Sequence, residues 1–246
     1  MKYIYESKNQ HGVHSPFVFD LLTKCIYVSF PKSEFKILSE YRRDLSTNKQ
    51  FIEVKNFSTE SQYISSNKKR ISSIAKHDGI SKKRARLLFK IVKYFQPENI
   101  LEIGTSIGIA SCAMVSASVN SKLFTLERCP QTVKIAKDMF DKYRFDNINL
   151  IEEKFFNFPL KKKFDLIYFN RNESKKATLE YFEASLPCTH NDSVLIFNNI
   201  HLSAEMEEAW NEIKNHNEIT VSIDTYQWGI VFLRKEQQKE HFTLRV

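Results

Sequence analysis

From residue 97 to residue 235, short apolar runs alternate with longer segments whose apolar residues recur three and four positions apart. Brief runs rich in Ile, Val, Leu and Phe, bounded by polar residues, read as buried strands. Apolar residues at i, i+3, i+4 and i+7 read as one face of a helix. On that basis strands are predicted at 99–104 (NILEIG), 122–127 (KLFTLE), 147–153 (NINLIEE), 164–170 (FDLIYFN) and 193–199 (SVLIFNN). Helices are predicted between them at 109–119, 131–143 and 174–185, the last stopped near Pro187. Ser203 is placed to cap a further helix, with Glu205, Glu207 and Glu208 near its positive end and Met206, Ala209, Trp210 and Ile213 as its apolar stripe. The last two β-rich runs, 218–226 and 229–235, are separated only by Gln227-Trp228 and can pair only antiparallel. Strands separated by helices imply an α/β fold: a mostly parallel sheet with helices on both faces. Here it closes on an antiparallel hairpin.

The N-terminal third has a different pattern. Residues 82–95 place Ala85, Leu88, Phe89, Val92 and Phe95 on one helical face, and Pro97 then leads into the first strand. Upstream, Lys, Ser and aromatic residues surround short apolar runs such as PFVFDLL. Residues 1–80 therefore read as a helical cap or extension, and residues 81–246 as the sheet domain, with a separate small domain at 1–75 as the alternative.

Composition narrows the class. A chain of 246 residues that is 42% hydrophobic can bury a substantial core, and 5 Gly and 6 Pro argue against disorder or a fibrous repeat. No run approaches the ~18 apolar residues that a membrane span needs. Cys25, Cys112, Cys129 and Cys188 are far apart and form no CxxC pair, so they read as reduced thiols in a cytoplasmic protein. Charge is uneven. Residues 1–96 carry 19 Lys/Arg against 8 Asp/Glu, a net +11, and the remainder carries 18 against 21, a net −3. That asymmetry suits an acidic partner or nucleic acid at the N-terminal region, although a solvated lysine-rich exterior gives the same pattern.

In an open parallel sheet, ligands bind beyond the carboxyl ends of the strands, beside the first one. That position holds Glu102-Ile103-Gly104-Thr105-Ser106-Ile107-Gly108. Gly104 permits a tight turn and Gly108 a close approach of backbone to a ligand. Thr105 and Ser106 offer hydroxyls and amides, and the following helix supplies its positive end. Glu127 ends the second strand, where an acid can accept hydrogen bonds from both ribose hydroxyls of an adenosine. EIGTSIGIAS followed by TLE resembles the S-adenosylmethionine site of class I methyltransferases, particularly small-molecule O-methyltransferases, over roughly residues 80–235. HGVHSPFVFDLL resembles the opening of a Bacteroidetes group of predicted methyltransferases. The resemblance implies a Rossmann-like methyltransferase domain with S-adenosylmethionine as cofactor. Gly104, Thr105, Ser106 and Gly108 would line the methionine and ribose portion, and Glu127 would hold the ribose. Glu102 would sit under the methionine amino group, and Lys154 and Phe155 would stand where adenine is contacted.

The acceptor end departs from that family. Cation-dependent O-methyltransferases hold Mg²⁺ with an Asp after the fourth strand and an Asp-Asn pair after the fifth. The matching residues here are Asn170, Asn198 and Asn199. An amide brings no charge, and hard Mg²⁺ is normally held by carboxylates and water. No metal is therefore expected, and Asn170 and Asn198 are left with positioning roles. The acid and glycines that the Bacteroidetes group carries near Asn56-Phe57-Ser58-Thr59-Glu60 are also missing, with no acid until Glu60. The reactive sulfonium methyl can be transferred by positioning alone, with a histidine as base. His201 is the first choice, followed by His11 and His14, and Glu173 is a substitute base or metal ligand; each also has an ordinary structural reading. Tyr168 and Trp228 could stack on a substrate but read better as core. The leading reading is a metal-independent methyltransferase of a small-molecule O- or S-acceptor. The alternatives are a degenerate methyltransferase-like module (a pseudoenzyme) that binds a ligand or partner, and a nucleic-acid methyltransferase using the basic N-terminal region.

Overall fold

A computed structural model describes residues 3, 7, 9, 12–57, 64–159, 161–170 and 174–246. His11, Ser58 to Glu60 and Glu173 lie outside the described residues. In chain order the principal elements are α1 (Pro16–Leu21), α2 (Lys36–Thr47), β1 (Phe51–Phe57), β2 (Ile64–Arg70), α3 (Lys82–Phe95), β3 (Asn99–Ile103), α4 (Ile109–Ala117), β4 (Lys122–Glu127), α5 (Pro130–Tyr143) and β5 (Ile148–Glu152). They continue with β6 (Leu166–Phe169), α6 (Lys175–Ser185), β7 (Val194–Asn198), α7 (Ala204–Asn215), β8 (Val221–Asp224), β9 (Trp228–Phe232) and β10 (Glu240–Thr243). Among the described residues no helix is long and apolar enough to cross a membrane. The chain divides into two compact units, Ser29–Phe158 and Met1–Val28 with Pro159–Val246.

In the unit Ser29–Phe158, β3, β4 and β5 are parallel, with Glu102 beside Thr125 and Glu127 beside Glu152. Ile100, Leu101, Leu123 and Leu126 are buried between helices. α4 is buried on nearly every side, which its run of small and apolar residues allows. α2 and α3 both pack on α4. α3 buries Ala85, Leu88, Phe89, Ile91 and Val92, is capped by Ser81 accepting from the Arg84 amide, and stops at Gln96 in a left-handed conformation before Pro97. The stretch before α3 also holds something its sequence pattern does not indicate: β1 and β2 form an antiparallel hairpin with Phe51 beside Arg70. Lys68 and Arg70 lie 5.6 and 4.9 Å from the Phe51 ring, and the Glu53 amide donates to Gln131 at 2.6 Å.

In the other unit the strand order is β10-β8-β9-β7-β6. β6 and β7 are parallel, β9 is antiparallel to both β7 and β8, and β10 returns parallel to β8. The antiparallel pair is the hairpin expected from Gln227-Trp228, and β10 adds a polar edge strand to it. β6, β7 and β9 are wholly buried. Ser203 caps α7 by accepting from the Met206 amide, and Met206, Ala209, Trp210 and Ile213 are its buried face, as the sequence pattern indicates. Trp210 packs against β9 at Gly229, where an added Cβ would collide with its ring.

Candidate functional site

The loop between β3 and α4 is tied to β4 at several points. The Gly104 and Thr105 amides both donate to the Leu126 carbonyl, at 2.9 and 3.1 Å. The Thr105 and Thr125 hydroxyls are 2.6 Å apart. Gly104, Ser106 and Gly108 have φ of 101°, 52° and 79°. Ser106 holds this conformation against its own Cβ, and the hydrogen bond from its amide to Glu127 Oε2 at 2.8 Å helps fix it. The space left by the missing Cβ of Gly108 is filled from within the protein, by the Tyr41 hydroxyl and the Phe140 ring. Tyr41 in turn donates to the Ile107 carbonyl at 3.0 Å.

Two carboxylates sit beside this loop. Glu127 is buried and accepts three backbone amides: Ser106 at Oε2, and Arg128 and Cys129 at Oε1, at 2.9 and 3.0 Å. Glu102 is fully buried, and its Oε2 accepts the Ser111 and Thr125 hydroxyls at 2.5 and 2.6 Å. Its Oε1 is buried with no hydrogen-bond partner among the described residues. Burial drives the Glu102 pKa up to about 8, with the charge of Glu127 adding to the rise and the two hydroxyls opposing it. A buried carboxyl group with one oxygen orphaned ionises when a cationic group docks against it, and then becomes a strong acceptor. An ammonium supplies both the positive charge and the donors that Oε1 lacks, so these residues fit the amino end of S-adenosylmethionine. Beyond β5, Lys154 is exposed and precedes a single 3₁₀ turn, Phe155–Asn157. Phe155 is buried there, and the exposed ring of the turn is its neighbour Phe156, 57% accessible, which the sequence pattern does not distinguish.

In the other unit, the ends of β6 and β7 bring the asparagines together. Asn198 Nδ2 donates to the Asn170 carbonyl and to its Oδ1, both at 3.3 Å. Asn198 Oδ1 accepts the Trp228 indole N–H at 3.0 Å. Trp228 and Tyr168 are buried and meet edge to face, with centroids 5.8 Å apart. Asn199 has φ of 55°, and its amide donates to the Gln227 carbonyl.

His201 faces two carboxylates. Its Nδ1 is 3.0 Å from Glu207 Oε1 and its Nε2 is 2.8 Å from Asp224 Oδ2, with the ring stacked on Tyr226. A neutral imidazole would turn a lone pair toward one of those carboxylates, whereas an imidazolium donates to both. Burial alone would lower the His201 pKa, but Glu207 and Asp224 outweigh it and raise it. A general base needs the neutral form, which this clamp disfavours. His14 is exposed.

The fold is that of the class I methyltransferases, mostly parallel with a C-terminal antiparallel hairpin. In particular, the chain is similar in structure to the methyltransferase PaMTH1 of Podospora anserina bound to SAH, with a TM-score of 0.59, 16% identity, and coverage of 85% of this chain and 98% of that one. It is similar to the O-methyltransferase TomG of Streptomyces achromogenes, involved in tomaymycin synthesis and solved with SAM, with a TM-score of 0.57, 15% identity, and coverage of 95% and 99%. An O-methyltransferase of Bacillus cereus in complex with SAH matches with a TM-score of 0.52, 15% identity, and coverage of 85% and 94%. No sequence-family model matches the chain, and no curated protein matches it by sequence.

Proposed function

We propose that the protein is an S-adenosylmethionine-dependent methyltransferase that transfers the methyl group to a small-molecule O- or S-acceptor without a metal. The observation that carries this reading is the orphaned Oε1 of Glu102, buried behind a loop that the Glu127 carboxylate braces at the Ser106 amide. The bound cofactor would supply an electrophilic methyl on a sulfonium. Glu102 would accept the amino group, Glu127 would hold the ribose, and the exposed Phe156 ring, with Lys154, would cover the adenine. The SAM- and SAH-bound O-methyltransferases of the same fold support the cofactor class. The metal-free reading rests on the chemistry of the amides. Asn170 and Asn198 bring no charge, and the Asn198 carbonyl oxygen already accepts the Trp228 indole. Isothermal titration of the full chain with S-adenosylmethionine, in EDTA and again in Mg²⁺, tests the cofactor site. Binding that is equal in the two buffers and weakened by Glu102→Gln supports the proposal, and absence of binding in both overturns it.

A second reading has its own observation in favour. His201 is held between two carboxylates, and the asparagines at the strand ends are hydrogen-bonded to one another. Neither group offers a general base. In that reading the chain keeps the cofactor loop as a ligand-binding module and catalyses nothing. Cofactor binding without conversion to S-adenosylhomocysteine, across a panel of hydroxyl and thiol acceptors, favours it over the first.

A further inference from the structure

A hollow of about 160 Å³ lies between α2 and α3, within the unit Ser29–Phe158. That is an order of magnitude more than the ~10–15 Å³ that one water needs. Over a floor that includes Leu38, its polar lining is Ser39, Arg42, Arg43 and Ser46 from α2 and Lys82 and Arg86 from α3. Four cations and two hydroxyls thus converge on one space, with no carboxylate in the lining. Two of the cations, Arg42 and Arg86, are held by partners that carry no charge. The Arg42 guanidinium donates to the Ile80 carbonyl at 2.5 Å, and that of Arg86 lies 4.9 Å from the Phe35 ring centroid. Among the described residues, no carboxylate is within ion-pair distance of Arg42, Lys82 or Arg86. Arg43 has Asp44 at 3.9 Å, and Asp44 is closer to Lys142, at 2.7 Å.

Two further features point to a missing anion. The first turn of α3 holds Lys82 and Lys83 and no acid, so cations stand at the positive end of a 14-residue helix. That placement opposes the helix dipole, and an anion seated there relieves it. Arg42 is half-buried, and burial lowers its pKa, a penalty that a bound anion reverses.

We propose that this hollow binds the phosphate group of a small phosphorylated molecule, at a site separate from the Gly104–Gly108 loop. A phosphate dianion matches the set better than a carboxylate does. It brings two charges to four cations, and its oxygens can take guanidinium forks and hydroxyl donors together. A polymer backbone would need a track of cations, whereas these converge on one concave space. The proposal goes beyond methyl transfer and does not depend on it. A phosphorylated acceptor or a phosphorylated regulator would both use the same contacts.

The test is a titration of the full chain at low ionic strength with inorganic phosphate, with ribose 5-phosphate, with acetate, and with a single-stranded RNA 12-mer. Phosphate and ribose 5-phosphate are expected to bind and to raise the melting temperature, with acetate inert at equal ionic strength. Arg86→Gln and Lys82→Ala are each expected to weaken phosphate at least about tenfold. Lys82 is exposed and has no hydrogen-bond or ion-pair partner among the described residues, so Lys82→Ala keeps the test decisive should Arg86→Gln perturb the packing on Phe35. Acetate binding as well as phosphate, RNA binding while the small phosphates do not, or undiminished phosphate binding by folded Lys82→Ala would each overturn the proposal.

Discussion

Glu102 and His201 give the two units opposite charge problems with the same pH dependence. Glu102 has a folded pKa of about 8 against an ordinary 4.5. A carboxyl raised on folding contributes its stability fully below the unfolded value and loses it as pH climbs through the folded one. Between pH 4.5 and 7 that loss is on the order of 3 kcal/mol. Glu102→Gln removes the titration, so in thermal melts the variant should gain on the native chain steadily from pH 5 to pH 8. Parallel profiles would show that Glu102 is not buried as an acid. His201 also has a raised pKa, for a different reason: its imidazolium is held by Glu207 and Asp224. Its stabilisation is complete below the unfolded value near 6.5 and fades as pH rises through the higher folded value. His201→Gln should lose about 1 kcal/mol in urea unfolding at pH 6, and less at pH 9. A variant whose deficit grows with pH would contradict the clamp.

Among the elements, β9 and the ends of β6 and β7 carry the clearest tests. Gly229 lets α7 lie close, and an added methyl would collide with the Trp210 ring. Gly229→Ala should therefore lower stability by about 1–3 kcal/mol, measured by urea unfolding. A neutral substitution would mean that α7 shifts without penalty. At the strand ends, Asn170→Asp with Asn198→Asp would place two charges beside Asn199. At an effective dielectric near 20 each is worth several kcal/mol to a divalent ion a few ångströms away. The doubly substituted chain should bind Mg²⁺ detectably by calorimetry where the native chain does not. Tight native binding at this position would refute the role assigned to the amides. These elements also show what the sequence made legible. β3, β4, β6, β7 and α7 are readable because each is apolar enough for its period to show. The hairpin β1–β2 hides because its exposed Phe51 ring is covered by Lys68 and Arg70, and β10 because Glu240 and His241 face solvent. Such edges are set by tertiary partners and not by their own alternation.

Across the whole molecule, the Gly104–Gly108 loop and its two carboxylates are the most readable part of the candidate site. Glu102, Gly104 and Glu127 sit at positions that a parallel sheet dedicates to ligands, so order along the chain suffices to nominate them. The hydrogen-bond wiring was not readable. Glu207 and Asp224 reach His201 from 6 and 23 residues away, and Phe155 and Phe156 are chemically identical until the turn buries one of them. The basic excess of the N-terminal third could be counted from composition, but its convergence on one hollow required α2 and α3 side by side. The central claim concerns the loop and its two carboxylates, and calorimetry of the purified chain with S-adenosylmethionine tests it most directly. The account predicts saturable one-to-one binding, weakened at least about tenfold by Glu102→Gln or by Glu127→Ala. No binding by the folded native chain, or equal binding by both variants, would contradict it.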